Sequence, residues 1–490
     1  MRPDTAASPP SGKRERVPTR TRILFGLGSV SEGTTTTVFN TFLLFYYNQI
    51  LGVSGTLSGA AIFLALCVDA ITDPLIGSLS DHTHSRWGRR HPYMYAAGLP
   101  MAASFVFLFN PPAGLGEVGL FAWLTVFAVL VRVSMTLYSI PSGSMVPELT
   151  SHYDERTTLM SYRFVFGFAG GLGCALVGYL VFFVQKDGVD YRMVPEAYQS
   201  FAIVCGAVMF VSILVCAVGT HHLIPTLRSP PEGGLTLASF FRELAGVLRN
   251  RSYRNVVLGL LFASVAAGFN DVVGLYMNTF FWEFSSTQIA FFVVAILPGI
   301  VLAAVLARPI SERFDKKQAA VALTTFAVFF GPLPVFLRLL DLMPPNLAPW
   351  LFRLMLVHAG LIVGVIFAVS VIIASMITDV VDQNELETGK RQEGLIISAV
   401  TFTQKAASGI GGLVAGIALD LIAFPKGAEP GMVAADKLFS LGLAVGPGLL
   451  VFYLLLLFFL TRYDITRESH GETLAEIERR RAAAETGAGG

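Results

Sequence analysis

The sequence predicts an all-α polytopic membrane protein with twelve transmembrane helices in two six-helix halves. Three observations carry this. The 490 residues are 53% hydrophobic and only 14% charged, with mean hydropathy of +0.63, the composition of a membrane-spanning chain and not of a soluble enzyme. Apolar runs of about 20 residues, the length that crosses a hydrocarbon core ~30 Å thick, recur from end to end. Lysine and arginine gather in every second connection. Of the 35, 27 fall in alternate segments starting with the N-terminal tail, and only Lys186, Arg192, Lys426 and Lys437 fall in the segments between. The positive-inside rule then expects both termini in the cytoplasm. A net charge of +1 gives no basis for a nucleic-acid partner.

Taken in order, residues 1–22 form a polar cytoplasmic tail containing Pro and Arg, without the layout of a signal peptide. The first half, 23–218, holds spans at 23–51, 57–79, 92–110, 118–141, 162–184 and 198–218. A central cytoplasmic loop, 219–254, follows. Its Pro225, Pro230, Pro231, Gly233 and Gly234 punctuate the chain before an amphipathic stretch, Leu237–Leu248. The second half, 255–461, holds spans at 256–281, 287–307, 318–339, 348–375, 394–423 and 438–461, and 462–490 is a polar cytoplasmic tail. Cys67, Cys174, Cys205 and Cys216 all lie in apolar runs without metal or redox spacing, so they read as buried thiols.

The two halves repeat one another. GSLSDHTHSRWGRR (77–90) follows the second span and ARPISERFDKK (307–317) the eighth. PELTSHYDERT (147–157) follows the fourth and ITDVVDQNELETGKR (377–391) the tenth. Asp81 to Glu312 is 231 residues, and so is Glu148 to Asp379. A shared offset points to internal duplication. The charged residues of these loops are Asp81, Arg86, Arg89, Arg90, Glu148, Arg156, Glu312, Arg313 and Asp379, with Gly88 at a turn. They are expected to tie helix ends together in one conformation and release in another.

Charges inside the spans are rarer and more telling. Asp69 and Asp73 lie one helical turn apart in a run with no other charge, 57–79. A carboxylate at mid-membrane costs roughly 2.5–3.5 kcal/mol on insertion scales, and two on one face repel unless something positive lies between. A bound cation meets that need; the alternative is a structural ion pair with Arg132, one turn before Thr136. Lys405 needs a buried partner, and Arg163 stands near a helix start. Asp271, next to Asn270, lies within the seventh span. Tyr276, Phe281 and Trp282, like Tyr46 and Tyr47, read as an interfacial aromatic belt. Thr34–Thr37 either lines a cavity or bonds back to its own helix. His82 and His84 read as solvated loop residues, and GIGG (409–412) as close helix packing. With no nucleophile–base pair, zinc spacing or phosphate loop, no enzyme and no cofactor is expected.

At DAITDPLIGSLSDHTHSRWGRRHP (69–92) the chain resembles the glycoside–pentoside–hexuronide:cation symporters, the melibiose permease-like branch of the major facilitator superfamily. PELTSHYDERTTLMSYR (147–163), SMITDVVDQNELETGKRQEG (375–394), TFTQKAASGIGG (401–412) and YDITRESH (463–470) extend the resemblance over nearly the whole chain. It implies a secondary transporter of the inner membrane, monomeric, coupling Na+ or H+ to a glycoside-like solute. It implies a cation site of Asp69, Asp73 and Thr136, with Thr72 where the family has asparagine. Lys405 and Arg163 are implied in substrate binding or coupling; Arg132 and Asp271 are further candidates from their placement within the spans, without a family motif. Two family aspartates of the sugar site are replaced by Gly33 and Ser139, and a family tryptophan by Gly143. Glu32 adjoins Gly33 but points about 100° away on an ideal helix. A lysophospholipid or other amphipathic solute is therefore an alternative cargo. A receptor that binds without transporting is another, disfavoured because no sensing domain is present.

Overall fold

The computed structural model describes residues 17–150, 152–226, 246, 250–389 and 392–487, without the side chains of 153, 306–312, 481 and 484–487. Most of the N-terminal tail, most of the central loop with its amphipathic stretch, Lys390, Arg391 and the Glu312 side chain lie outside the described residues.

Among the described residues, twelve helical rods follow one another. α1 occupies 19–50 in pieces: Thr19–Leu27, Ser29–Thr37 and two π-helical turns, Val38–Leu43 and Tyr46–Ile50. Then come α2 (Gly55–His82), α3 (His91–Leu108), α4 (Glu117–Ser144), α5 (Tyr153–Val177, prolonged by a π turn) and α6 (Pro195–His221). The second set is α7 (Arg251–Tyr276, prolonged by Met277–Phe281), α8 (Ser286–Arg313), α9 (Lys316–Phe330, resumed as Leu333–Leu339), α10 (Pro349–Thr388), α11 (Glu393–Leu421) and α12 (Ala435–Leu443, resumed as Leu449–Thr461). A polar helix, α13 (Arg467–Gly487), packs on α10. Nine helices among the described residues are long and apolar enough to cross a membrane. α1 is subdivided, α3 includes His91 and two prolines, and α11 is diluted by Gln404, Lys405 and glycines.

α10 runs well beyond the expected 348–375 because nothing in 376–388 breaks a helix. Gly389, at φ +69°, then closes it in the left-handed conformation that glycine tolerates. The acidic loop motif after the tenth span is therefore helical.

The duplication is visible bond by bond. α2 and α8 are both 28 residues, and their ends are offset by 231. Ser54 Oγ caps α2 by accepting from Leu57 N at 3.1 Å; Ser285 Oγ accepts from Gln288 N at 3.2 Å. Ahead of them, the π turns Tyr46–Ile50 and Met277–Phe281 carry the same offset.

The two sets meet through glycines. A methyl at Gly55 would lie 2.4 Å from Gly416 O, and one at Gly411 would lie 2.1 Å from Val265 O, so α11 presses directly on α2 and α7. The expected packing role of GIGG holds. At the N-terminus of α2 the Asp420 carboxylate, from the end of α11, accepts from Gly55 N at 2.8 Å and Thr56 N at 2.7 Å. On this side, away from the basic loops, further bonds join the sets. Tyr276 donates to Asn48 (2.8 Å), Gln49 to Pro425 O (3.1 Å) and Arg192 to Thr279 (3.0 Å).

Here the aromatic belt expectation needs correcting. Tyr46, Tyr47, Tyr276, Phe281 and Trp282 are buried, all at 5% exposure or less. Tyr46 and Tyr47 donate to the carbonyls of Phe109 and Leu108 at 2.9 and 2.7 Å. They form a seal between helices because these helix ends meet protein, not lipid headgroups, and each hydroxyl finds a partner there.

Candidate cation and substrate site

α2 and α4 face one another over two turns, each presenting polar residues at i and i+4. Asp69 and Asp73 come from α2, Arg132 and Thr136 from α4. Asp69 is 3% exposed and Thr136 fully buried. Arg132 Nη2 donates to Asp69 Oδ2 in a short ion pair. Thr136 Oγ1 lies 2.9 Å from Asp69 Oδ1 and 2.9 Å from Asp73 Oδ1. A hydroxyl carries one proton and can satisfy only one of these contacts. The second oxygen pair needs a proton or a cation between its members. From α11, Lys405 Nζ donates to Asp73 Oδ2 at 2.9 Å and lies 3.6 Å from Asp69 Oδ2. The buried Asp69 and half-buried Asp73 are thus flanked by two cations, as burial of charge requires. Thr72 Oγ1 donates to the Asp69 carbonyl at 3.2 Å, which leaves its lone pairs free but draws it back along its own helix.

Beside this cluster lies a cavity of about 680 Å³ lined by α1, α5, α7 and α8. Gly33 is there, but not as a vacancy for a side chain. A methyl on it would lie 1.8 Å from Gly167 O, because α1 and α5 cross at this point. The carboxylate comes from Glu32, which accepts from Arg163 Nη2 at 2.6 Å. Arg163 also donates to Ser142 Oγ at 2.9 Å, and Ser142 Oγ donates to the Ser139 carbonyl at 3.1 Å. Ser139 therefore joins the site through its backbone. The ideal-helix rotation of Glu32 away from the site misses this pairing. The signal for it was the small-residue set Gly33, Gly167 and Gly171, which fixes the face of α1 turned to α5. Asp271 lines the same cavity and accepts from Asn40 Nδ2 at 3.1 Å. Asn270 instead lines a cavity of about 540 Å³ inside the second half. Thr36 and Thr37 reach the first cavity, whereas Thr35 bonds back to Ser31 O at 2.8 Å. Gly143 meets open space.

The loops on the basic side form two ionic clusters. Arg90 Nη2 contacts Asp81 at 2.5 Å and Glu148 at 3.1 Å, and Arg89 contacts Glu148 at 2.6 Å. Gly88, at φ +72°, closes the turn that presents both arginines. Arg86 lies over the Trp87 ring at 5.7 Å, and Arg156 donates to Thr150 O at 3.0 Å. In the second half, Asp379 pairs with Lys316 at 2.7 Å and His470 at 3.5 Å, while Arg313 is exposed. Among the described residues, no group of His, Cys, Asp and Glu is arranged to hold a metal ion, and His82 and His84 bond to backbone carbonyls.

Residues 24–467 match the family model of MFS/sugar transport proteins. The isoprimeverose transporter of Lactiplantibacillus pentosus is 26% identical over 83% of this chain and 81% of its own length. The inner membrane symporter YicJ of Escherichia coli K12 is 24% identical over 82% and 83%. Among solved structures, the nucleoside transporter NupG superposes with TM-score 0.61 at 11% identity over 91% of this chain and all of that one. The inward-open xylose transporter XylE of E. coli gives 0.58 at 14% identity over 93% and 98%. At these identities the structural likenesses bear on fold alone. With nearly the whole chain matched and the fold in agreement, the protein belongs to the MFS/sugar transport family, the glycoside–pentoside–hexuronide cation symporters of the major facilitator superfamily, and is a membrane transporter, not an enzyme.

Proposed function

We propose that this transporter couples Na+ or H+ to uptake of a glycoside or related small sugar across the inner membrane, as a monomer with both termini in the cytoplasm. The observation that carries this is the Thr136 hydroxyl set 2.9 Å from two carboxylates, one buried and one half-buried, with a single proton to offer. Asp69 and Asp73 hold the cation, with Thr136 and Thr72 supplying neutral oxygens, as a hard cation prefers. Arg132 and Lys405 neutralise the carboxylates when the cation is absent. Cation entry displaces Lys405 from Asp73, which frees its ammonium to engage a sugar oxygen. Coupling follows because each ligand then raises the other's affinity by the same factor. Glu32 and Arg163 bind hydroxyls in the adjoining cavity, and the halves rock about it. The matched transporters named for isoprimeverose and for symport support this reading. The Glu32–Arg163 pair weakens the case for an amphipathic lipid, because a polar carboxylate stands where Gly33 had suggested none.

The test is cation flux into proteoliposomes on addition of glycosides or a lysophospholipid, recording internal Na+ and pH. Asp69→Asn and Asp73→Asn should insert normally and lose uphill accumulation. Normal accumulation by both would make the pair structural.

A further inference from the structure

Asn40 and Asp271 are 231 residues apart, so they are the same position in the two copies of the repeat. They are also hydrogen-bonded to each other, at 3.1 Å. Five residues on, Phe45 and Tyr276 share the offset and also meet, with ring centroids 5.0 Å apart. Residues that meet their own counterparts mark the axis relating two repeats. The duplicated position on the cavity wall has therefore kept an amide in one half and an acid in the other. A solute on that axis lies within reach of both halves through this pair.

The charge around the cavity is uneven. Glu32 is matched by Arg163 at 2.6 Å. Asp271 has the neutral Asn40 amide, and its carboxylate lines the cavity without a cationic side chain in ion-pair contact among the described residues. Across the way, Asp69 and Asp73 are matched by Arg132 and Lys405. The lined space thus carries one negative charge beyond balance.

We infer that Asp271, paired with Asn40 on the pseudo-two-fold axis, is the second half's contact to substrate and makes the transporter select neutral or amine-bearing glycosides against hexuronides. The proposal rests on the glycoside-symport reading. A neutral sugar offers hydroxyl donors to the Asp271 carboxylate, and an amino sugar adds opposite charge. A hexuronide brings a second carboxylate into the same cavity. With one monovalent cation bound, the groups around the cavity sum to zero for a neutral sugar and to minus one for a hexuronide.

The experiment is competition against a transported neutral glycoside in proteoliposomes, using an amino-sugar glycoside and a hexuronide, for wild type, Asp271→Asn and Asp271→Glu. Wild type should favour the neutral and amine-bearing compounds over the hexuronide by about tenfold, the scale of like-charge repulsion at about 4 Å in a solvent-exposed cavity. Asp271→Asn should collapse that ratio and Asp271→Glu should keep most of it. Sodium- or proton-dependent thermal stabilisation checks that each variant is folded. If the hexuronide competes equally in wild type, or the ratio survives in folded Asp271→Asn, this inference falls and the symport reading stands. If no sugar of any charge is taken up, both fall.

Discussion

Removing the Asp420 carboxylate should open the molecule on the side away from the basic loops. Asp420 sits at the end of α11 and accepts two bonds, of 2.8 and 2.7 Å, from the first amides of α2 in the other half. Those amides have no partner within their own helix, and the positive end of the helix dipole favours an anion there. The contact exists only while α2 and α11 are crossed this closely. Loss of a capping side chain costs about 0.5–2 kcal/mol, and a mid-range value near 1.4 kcal/mol is roughly a tenfold change in an equilibrium. Neighbouring contacts such as Lys426 to Gly52 O at 2.8 Å are more exposed and should matter less. Asp420→Ala should therefore depopulate the closed side about tenfold relative to wild type. Spin labels at exposed positions 113 and 432, in a background lacking Cys67, Cys174, Cys205 and Cys216, report this as a longer distance population by pulsed EPR. An unchanged distance distribution in Asp420→Ala, with wild-type transport rates, would refute the latch.

Further outcomes follow from the same geometry. Gly33→Asp, which restores the family's residue, should impair folding and not improve sugar binding, since even a methyl would lie 1.8 Å from Gly167 O; overpacking of this kind costs about 1–3 kcal/mol or more, read as lower detergent-solubilised melting temperature. Thr136→Val should weaken cation binding about tenfold while Thr136→Ser retains it, because the hydroxyl is the neutral oxygen set 2.9 Å from each carboxylate; cation titration of thermal stability separates the two. Lys405→Met should leave Asp73 without its 2.9 Å partner and raise apparent cation affinity while lowering sugar-driven flux, measured in the same vesicles.

Much of this molecule can be read from its residues, for identifiable reasons. Apolar runs report helices in a bilayer because no other backbone arrangement satisfies its own amides there. The 231-residue offset seen in two loop pairs recurs in the bounds of α2 and α8 and in their serine caps. The meeting of Asp69 and Asp73 with Thr136 was legible through the family resemblance, and that of Asp69 with Arg132 through the need of a buried carboxylate for a cationic partner. Glu32 was not. Its direction depends on which face of α1 meets α5, a tertiary choice made by Gly33 against Gly167. The aromatic rings at helix ends misled for a similar reason: hydropathy does not distinguish an end that meets headgroups from one that meets another helix, and Tyr276 meets Asn48. The helical extent of α10 is hidden in the sequence because the polar residues after 375 resemble a loop, although no breaker precedes Gly389.

α2 and α8 match in length, capping and register, yet where the first has Asp69 and Asp73 the second has Ile300 and Ala304. Two copies of one helix have divided their labour. The carboxylate pair proposed to seat the ion is present in one copy only, while Lys405 and Asp271 belong to the other half of the molecule. Neither half holds a complete circuit by itself. With the ion at α2 as proposed, the second half feels its occupancy only through contacts that cross between the copies, such as Lys405 on Asp73. On that reading ion sensing and shape change share one seam.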